Sequence, residues 1–552
     1  MKKEESMKKS PVLYVTMLFA WSILAVFLWI NFAKSFKNIP FTISTNKINT
    51  PLKIASTMLL GLNAVFISYF WLNGVKDFIY VIWYYCNRNR LSKRFETIIN
   101  TDVSDANDRI LLLYCTCNDF DGTSLEKSIK QNYHNFRTVI LDDSNNEIYK
   151  QEIDDFAKKF GIEVIRRKNR VGFKAGNINN YLMNEDIKST YDYVVILDSD
   201  EIIPPNFITE CLKYFKACSN IGIVQANHIS TRNRNFFMKL FHIGVNSHWP
   251  TYQTMKHFYG FSTMLGHGAM IKRECYESAG GFPNLVAEDL CISIEARNCG
   301  YYVAFAPNII CEEEYPIDYV AFKKRHSKWT QGNLEFIKKY TKKIAKAKMK
   351  WHEKMDIVLF TYNLPLTAIF AFFIFTNLII APLLHIDLGQ VYSLWMAIPT
   401  IIFFFSPMLN DFITWSFRLN PIRNLLYFIN VIILYGSMLT TSLVSALLGL
   451  FGKKAKFIVT PKISNKTNIG FALRFQIKEF IFSTILLVCA IVFTKSLLPV
   501  ILIIITGYGS IFLMFFSNKK YRKEEIEKID TKTSNISLKI NKTFQYTKEQ
   551  NK

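Results

Sequence analysis

Apolar residues fall along this chain in two rhythms, with long unbroken runs toward both ends and short runs alternating with polar segments between them. VLYVTMLFAWSILAVFLWINF at 12–32 follows the basic start MKKEESMKKS and is long enough to cross about 30 Å of hydrocarbon. No small-residue cleavage site accompanies it, so a span is expected rather than a signal peptide. A second span is expected near 54–74, running on into FIYVIWYY and then into the basic CNRNRLSKR, which the positive-inside rule returns to the cytoplasm. Further apolar stretches lie at 357–384, 391–409, 425–450, 479–496 and 499–517. If all five crossed, either the basic loop GKKAKFIVTPK or the Lys-rich tail would lie outside. Both stay inside if 425–450, interrupted by Gly436 and rich in Ser and Thr, lies along the interface. Six crossings plus that interfacial helix are therefore expected.

Between the apolar ends, residues 100–350 carry strands alternating with helices: RILLLYCTC, a helix from about Ser124, FRTVILDDS, a helix from about Tyr149, IEVIRRK, a helix from about Ala175, and YVVILDSD. Apolar strands separated by helices predict a parallel sheet covered on both faces. The chain thus divides into an N-terminal membrane region (1–99), an α/β domain (100–350), a C-terminal membrane region (351–520) whose 453–478 form a loop, and a charged tail (521–552). That tail has few large apolar residues and reads as solvated or disordered.

Composition agrees with a membrane protein bearing a polar insert: half the residues are hydrophobic and 47 are Phe. The net charge of +23 fits basic cytoplasmic flanks, and no nucleic-acid-binding motif accompanies it. Ten scattered cysteines form no CxxC pair, so free thiols are expected in place of zinc sites or disulfides.

In parallel sheets ligands bind beyond the carboxyl ends of strands, where the acidic pairs Asp142/Asp143 and Asp198/Asp200 fall. An Asp-x-Asp there suits Mg²⁺ or Mn²⁺, which binds one or two carboxylates and completes its shell with substrate phosphates. In NRVGFKAGNINN, Lys174 offers a point charge to a phosphate and Gly172 and Gly176 permit close backbone approach; an exposed surface lysine is the plainer alternative. Glu288 and Asp289 open an amphipathic helix, either complementing its dipole or supplying a general base for an acceptor hydroxyl. RHSKWTQGN places Arg325 and Lys328 on one helical face with Trp329 beside them, as a charged helix surface or as cations for a diphosphate with a platform for a sugar ring.

The ordered series LDDS, KAGNIN, ILDSD, AED and RHSKW resembles the family 2 processive membrane glycosyltransferases, which include cellulose synthases and bacterial β-glucan synthases. FIVTPK at 457–462 resembles the gating loop of bacterial cellulose synthases, and KWTQGNL the corresponding stretch of periplasmic glucan glucosyltransferases. The resemblance covers roughly 105–520. It implies a GT-A-like glycosyltransferase domain within an α-helical membrane protein. Asp119 and Asp143 would hold uridine, Lys174 the nucleotide diphosphate, and Asp198 and Asp200 the donor and metal. Asp289 would be the base with Glu288 flanking it, Arg325 and Lys328 would meet the diphosphate, and Trp329 would stack beneath the acceptor sugar. Phe457, Val459, Thr460 and Lys462 would close over bound nucleotide. Two departures stand out: the family's Gln-x-x-Arg-Trp is Arg325-x-x-Lys328-Trp329 here, and Lys lacks Arg's bidentate fork. GHGAM at 266–270 replaces a Cys-containing acceptor motif, so His267 is either an acceptor contact or a packed loop histidine.

The expected activity is an inverting, processive transferase that polymerises sugar from a UDP-sugar, UDP-glucose foremost, into a β-linked polysaccharide and passes it across the plasma membrane from a cytoplasmic catalytic domain. Other readings are a one-sugar transferase acting on a lipid carrier, a galactan or N-acetylhexosamine polymer synthase, and a transporter or receptor. The last is disfavoured because the membrane segments show no buried charge pairs in sequence. Sugar, linkage and oligomeric state are not read from these residues.

Overall fold

The computed structural model describes residues 6–37, 50–230, 235–416, 418–452 and 467–516. The loop residues Phe457, Val459, Thr460 and Lys462, and the tail from 521, lie outside the described residues. Strands β1 (Ile110–Thr116), β2 (Phe136–Asp142), β3 (Glu163–Arg166), β4 (Tyr193–Leu197), β5 (Ile221–Ser230), β6 (Ala269–Lys272) and β7 (Tyr302–Glu313) form one sheet in the order β3-β2-β1-β4-β6-β5-β7. The first four run parallel, as the alternating pattern predicts. The sheet as a whole is mixed, because β6 pairs antiparallel with both β4 and β5.

Every residue of β1 is buried, which suits a central strand covered on both faces. Leu112, Tyr114, Ile140, Val195 and Leu197 point to one face and share a core with Tyr14, Val75 and Tyr80 of the N-terminal helices. Leu111, Leu113, Val139, Leu141, Val194 and Ile196 point to the other, packing on Ile178 and Ile292. The chain passes from β1 outward through β2 to β3, then returns to the opposite side of β1 as β4. That reversal opens a crevice at the carboxyl ends of β1 and β4, where ligands of such sheets bind.

Among the described residues, five helices are long and apolar enough to cross a membrane: Val12–Lys37, Thr50–Ile99, Leu394–Trp415, Pro421–Leu450 and Ile477–Thr494; Ala368–Leu383 and Ile501–Phe515 are shorter and apolar. Thr50–Ile99 has 50 residues, roughly 75 Å at 1.5 Å per residue, so its second half extends well beyond a bilayer. Phe95 near its end joins the sheet core. Gly436 does not interrupt Pro421–Leu450; it allows close packing, since a Cβ there would lie 2.7 Å from Thr506. Three serines of this helix face helix Tyr319–Lys346, pairing Ser437 with Tyr319 (2.8 Å), Ser442 with His326 (2.6 Å) and Ser445 with Ser327 (2.8 Å), while Thr441 donates to Glu479 at 3.2 Å.

A buried charge pair is present after all. Lys323 donates to Glu479 of helix Ile477–Cys489 at 2.7 Å and to Gln476 at 2.7 Å. The sequence conceals it because Lys323 comes from the polar insert, far along the chain from its partner. All ten cysteines are free.

Candidate active site

The crevice is a cleft of about 790 Å³. Every expected site residue that lies among the described residues lines it: Asp119, Asp143, Lys174, Asp198, Asp200, His267, Glu288, Asp289, Arg325, Lys328 and Trp329.

Strand ends supply its carboxylates. After β1 the chain turns through Asn118 at φ 60°, a conformation Asn tolerates, and Asp119 accepts hydrogen bonds from Cys117 N (2.8 Å), Thr116 Oγ1 (3.0 Å) and Ser199 Oγ (2.8 Å). Asp143, just past β2, receives both arms of the Arg167 guanidinium at 2.9 and 2.7 Å, in a pair almost closed to solvent. Sequence reasoning missed Arg167, whose only local signal is its place at the end of the third strand segment.

Lys174 is not a surface lysine. It sits in the first turn of helix Phe173–Leu182, capped by Gly172 at φ 81°. Its ammonium is paired with Asp198 and donates to Gly266 O at 2.8 Å. The tightness of this loop also explains Gly176, where a Cβ would fall 2.1 Å from Val171 O: the close approach is of the chain to itself. Burial works against the charge on both partners, but Asp198 raises the Lys174 pKa and Lys174 lowers that of Asp198. Asp200 Oδ2 accepts from Glu314 N at 3.2 Å. Asp198 and Asp200 thus present hard oxygen donors from one strand end to the cleft, a set that fits Mg²⁺ or Mn²⁺.

Glu288 and Asp289 open helix Glu288–Asn298, whose N-terminus favours negative charge. Asp289 accepts from its neighbour Leu290 N at 2.8 Å. Enclosure in the cleft raises both carboxyl pKa values, and the Asp289 charge adds to the rise at Glu288; Lys174 works the other way on both. Across the cleft, helix Tyr319–Lys346 brings Arg325 over the Trp329 ring at 4.5 Å, and the indole is 44% exposed.

Two adjacent carboxylates, a hard-cation site and several cations around one cleft suit transfer of a group carried on a diphosphate. Residues 193–444, from β4 through the helix bearing Trp329 into the membrane region, match the family described as Glycosyl transferase family group 2. That stretch, somewhat under half of the chain, is similar to family 2 glycosyltransferase domains. The chain's sheet is mixed and parallel-rich.

Similar proteins include glucomannan 4-beta-mannosyltransferase 1 of Cyamopsis tetragonoloba, 23% identical over 217 residues, which are 38% of this chain and 41% of that one. Probable glucomannan 4-beta-mannosyltransferase 15 of Arabidopsis thaliana is 25% identical over 215 residues, covering 37% and 40% of the two chains. The chain thus spans less than half the length of these relatives. Among solved structures, a Pyrobaculum calidifontis mannosyltransferase in complex with GDP-Man and Mn²⁺ is 18% identical, with 72% of this chain and all of that one covered at a TM-score of 0.40.

His267 lines the cleft but is engaged behind it, with Nδ1 3.2 Å from Glu201 and Nε2 3.2 Å from Glu313. Neither glutamate, nor Lys256, Phe360 and Thr361 on the membrane side of the cleft, was singled out in the sequence. Their contributions depend on long-range packing. Among the other histidines, His257 Nδ1 accepts from Phe305 N at 3.1 Å, a structural role.

Proposed function

We propose that this protein is a processive, inverting membrane glycosyltransferase that builds a β-linked polysaccharide from a nucleotide-activated hexose and passes it through its own helices. The observation that supports this most is the convergence of Asp198, Lys174, Asp289 and Trp329 on one cleft. Asp289 takes the proton of an acceptor hydroxyl, whose oxygen attacks the anomeric carbon opposite the diphosphate. The bond from that carbon to the diphosphate oxygen breaks, and its electron pair leaves with the nucleoside diphosphate. Lys174, Arg325 and Lys328 meet the departing charge; Trp329 supports the acceptor ring. Asp198 and Asp200 would hold a divalent cation, which when bound would add charge neutralisation at the leaving diphosphate.

UDP-glucose is the first donor proposed. GDP-mannose is the second, favoured by the mannosyltransferase names of the relatives. Asp119 and Asp143 suit either base, since uracil and guanine both offer ring N–H donors to a carboxylate. The basic flanks of the N-terminal helices support a cytoplasmic catalytic domain. The run of apolar helices after the cleft supports a product path that a one-sugar transferase would not need. Purified protein offered UDP-glucose, UDP-galactose, UDP-N-acetylglucosamine and GDP-mannose, each with Mg²⁺ or Mn²⁺, tests the reading. One donor should yield a hexose polymer; release of a single-sugar product from every donor would overturn it.

A further inference from the structure

Behind the cleft, two imidazoles and two carboxyl groups close into a ring. His228 of β5 and His267 stack with ring centroids 4.6 Å apart and planes 12° from parallel. Glu201 spans one side, with Oε1 3.5 Å from His228 Nε2 and Oε2 3.2 Å from His267 Nδ1. Glu313 spans the other, with Oε1 3.4 Å from His228 Nδ1 and Oε2 3.2 Å from His267 Nε2. Each carboxylate therefore bridges both imidazoles, one oxygen to each. Glu201 and His228 are almost completely buried; Glu201 Oε1 and the Nδ1 atoms of both histidines make ion-pair-range contacts within the ring but no hydrogen bond, and His228 Nε2 also meets Gln225 Nε2 at 3.4 Å. Gly268 lies flat on it at φ +58°, where a Cβ would fall 2.3 Å from both Glu201 and His228.

This geometry argues against an ion shared by the two imidazoles, although Glu201, His228 and Cys311 lie close enough together to hold a cation. An imidazole nitrogen ligates through a lone pair in its ring plane, and the lone pairs of two parallel stacked rings do not converge on one ion. A carboxylate laid across the two rings meets both.

The backbone attachments of the ring explain its use. Glu201 Oε2 accepts from Gly268 N at 2.9 Å and Asp198 N at 3.4 Å. Gly268 closes the loop whose Gly266 carbonyl receives Lys174. Glu313 is followed by Glu314, whose N–H donates to Asp200. Asp198, Lys174 and Asp200 are thus all suspended from this one cluster.

We propose that His228, which does not line the cleft, is a positioning residue: by holding Glu201 and Glu313 against His267, it fixes the carboxylates of Asp198 and Asp200 and the ammonium of Lys174 for a cation and nucleoside diphosphate. The inference rests on the reading of Asp198 and Asp200 as the donor and cation site. Residues behind first ligands commonly alter metal affinity by about 10- to 100-fold.

The test is calorimetric titration of Mn²⁺ into full-length protein in detergent with saturating UDP or GDP. His228→Leu keeps bulk and removes both nitrogens; His228→Gln keeps one donor. We expect Mn²⁺ affinity to fall by about 10- to 100-fold in the first and by less in the second, with the protein still folded by circular dichroism. If His228→Leu does not fold, the intermediate loss in His228→Gln carries the test. Unchanged Mn²⁺ affinity in the folded variants would overturn the proposal. So would one equivalent of tightly bound zinc in the parent that is lost on His228 substitution, since the ring would then be a metal site. Asp200→Asn separates this inference from the reading beneath it: if that variant binds Mn²⁺ normally, the cation site is misplaced, whatever the His228 variants do.

Discussion

Lys174 is held between the carboxylate of Asp198 and the carbonyl oxygen of Gly266, so without a donor the cleft neutralises its own strand-end carboxylate. A diphosphate entering here would exchange one anionic partner of Lys174 for another. Lys174→Met should weaken nucleoside diphosphate binding by about 10- to 100-fold, the worth of one hydrogen bond to a charged group. Lys174→Arg should recover part of it. Calorimetric titration with UDP and GDP measures both, and full affinity in Lys174→Met would remove this lysine from the donor site.

Asp289→Asn preserves shape and hydrogen-bonding capacity while removing basicity. Turnover should fall by about a hundred-fold to ten-thousand-fold with donor binding retained. Single-turnover transfer and nucleotide titration on one preparation separate the two effects. Loss of both together would show that Asp289 organises the site instead of acting as its base.

Glu288 yields a prediction about stability and pH. Its pKa is raised in the folded protein by burial and by the charge of Asp289. A carboxyl with a raised folded pKa contributes fully below its unfolded pKa of about 4.5, and that contribution is lost as pH rises toward the folded value. Glu288→Gln has no such loss. The variant should therefore gain thermal stability relative to the parent as pH rises above about 4.5, levelling off once the parent's Glu288 is ionised. Unfolding midpoints measured across this range check it; a gain that shrinks with rising pH would have the wrong sign.

Arg167 and Asp143 form a nearly closed bidentate pair at the end of the cleft proposed to take the nucleotide. Removing one partner from such a pair leaves a buried charge, at a cost of about 3–5 kcal/mol. Arg167→Met should lower stability by that order and weaken nucleotide binding. Arg167→Met with Asp143→Leu should recover stability but not nucleotide binding. Equal nucleotide affinity in the double variant and the parent would limit Asp143 to a structural part.

The β-α-β rhythm and its acidic strand ends were legible because apolar period and turn chemistry are local. Three strands were not: β5, β6 and β7 take their places from long-range pairing, and β6 is only 4 residues long. The carboxylates and cations of the cleft were found through short motifs. Arg167, Glu201, His228 and Glu313 were missed because their significance lies in partners that the fold, not the sequence, brings near. Lys323 and Glu479 escaped for the same reason, being 156 residues apart. Gly436 misled, since a glycine that interrupts a helix and one that admits a neighbour look alike in sequence.

Product length under acceptor excess distinguishes processive polymerisation by this one chain from single-sugar transfer. Purified protein should be supplied with its donor and a large excess of short acceptor, stopped after a small fraction of acceptor is consumed, and its products sized. A processive enzyme gives a few long chains beside mostly unextended acceptor. Acceptors each lengthened by a single sugar, with no long product at any time, would contradict processive polymerisation.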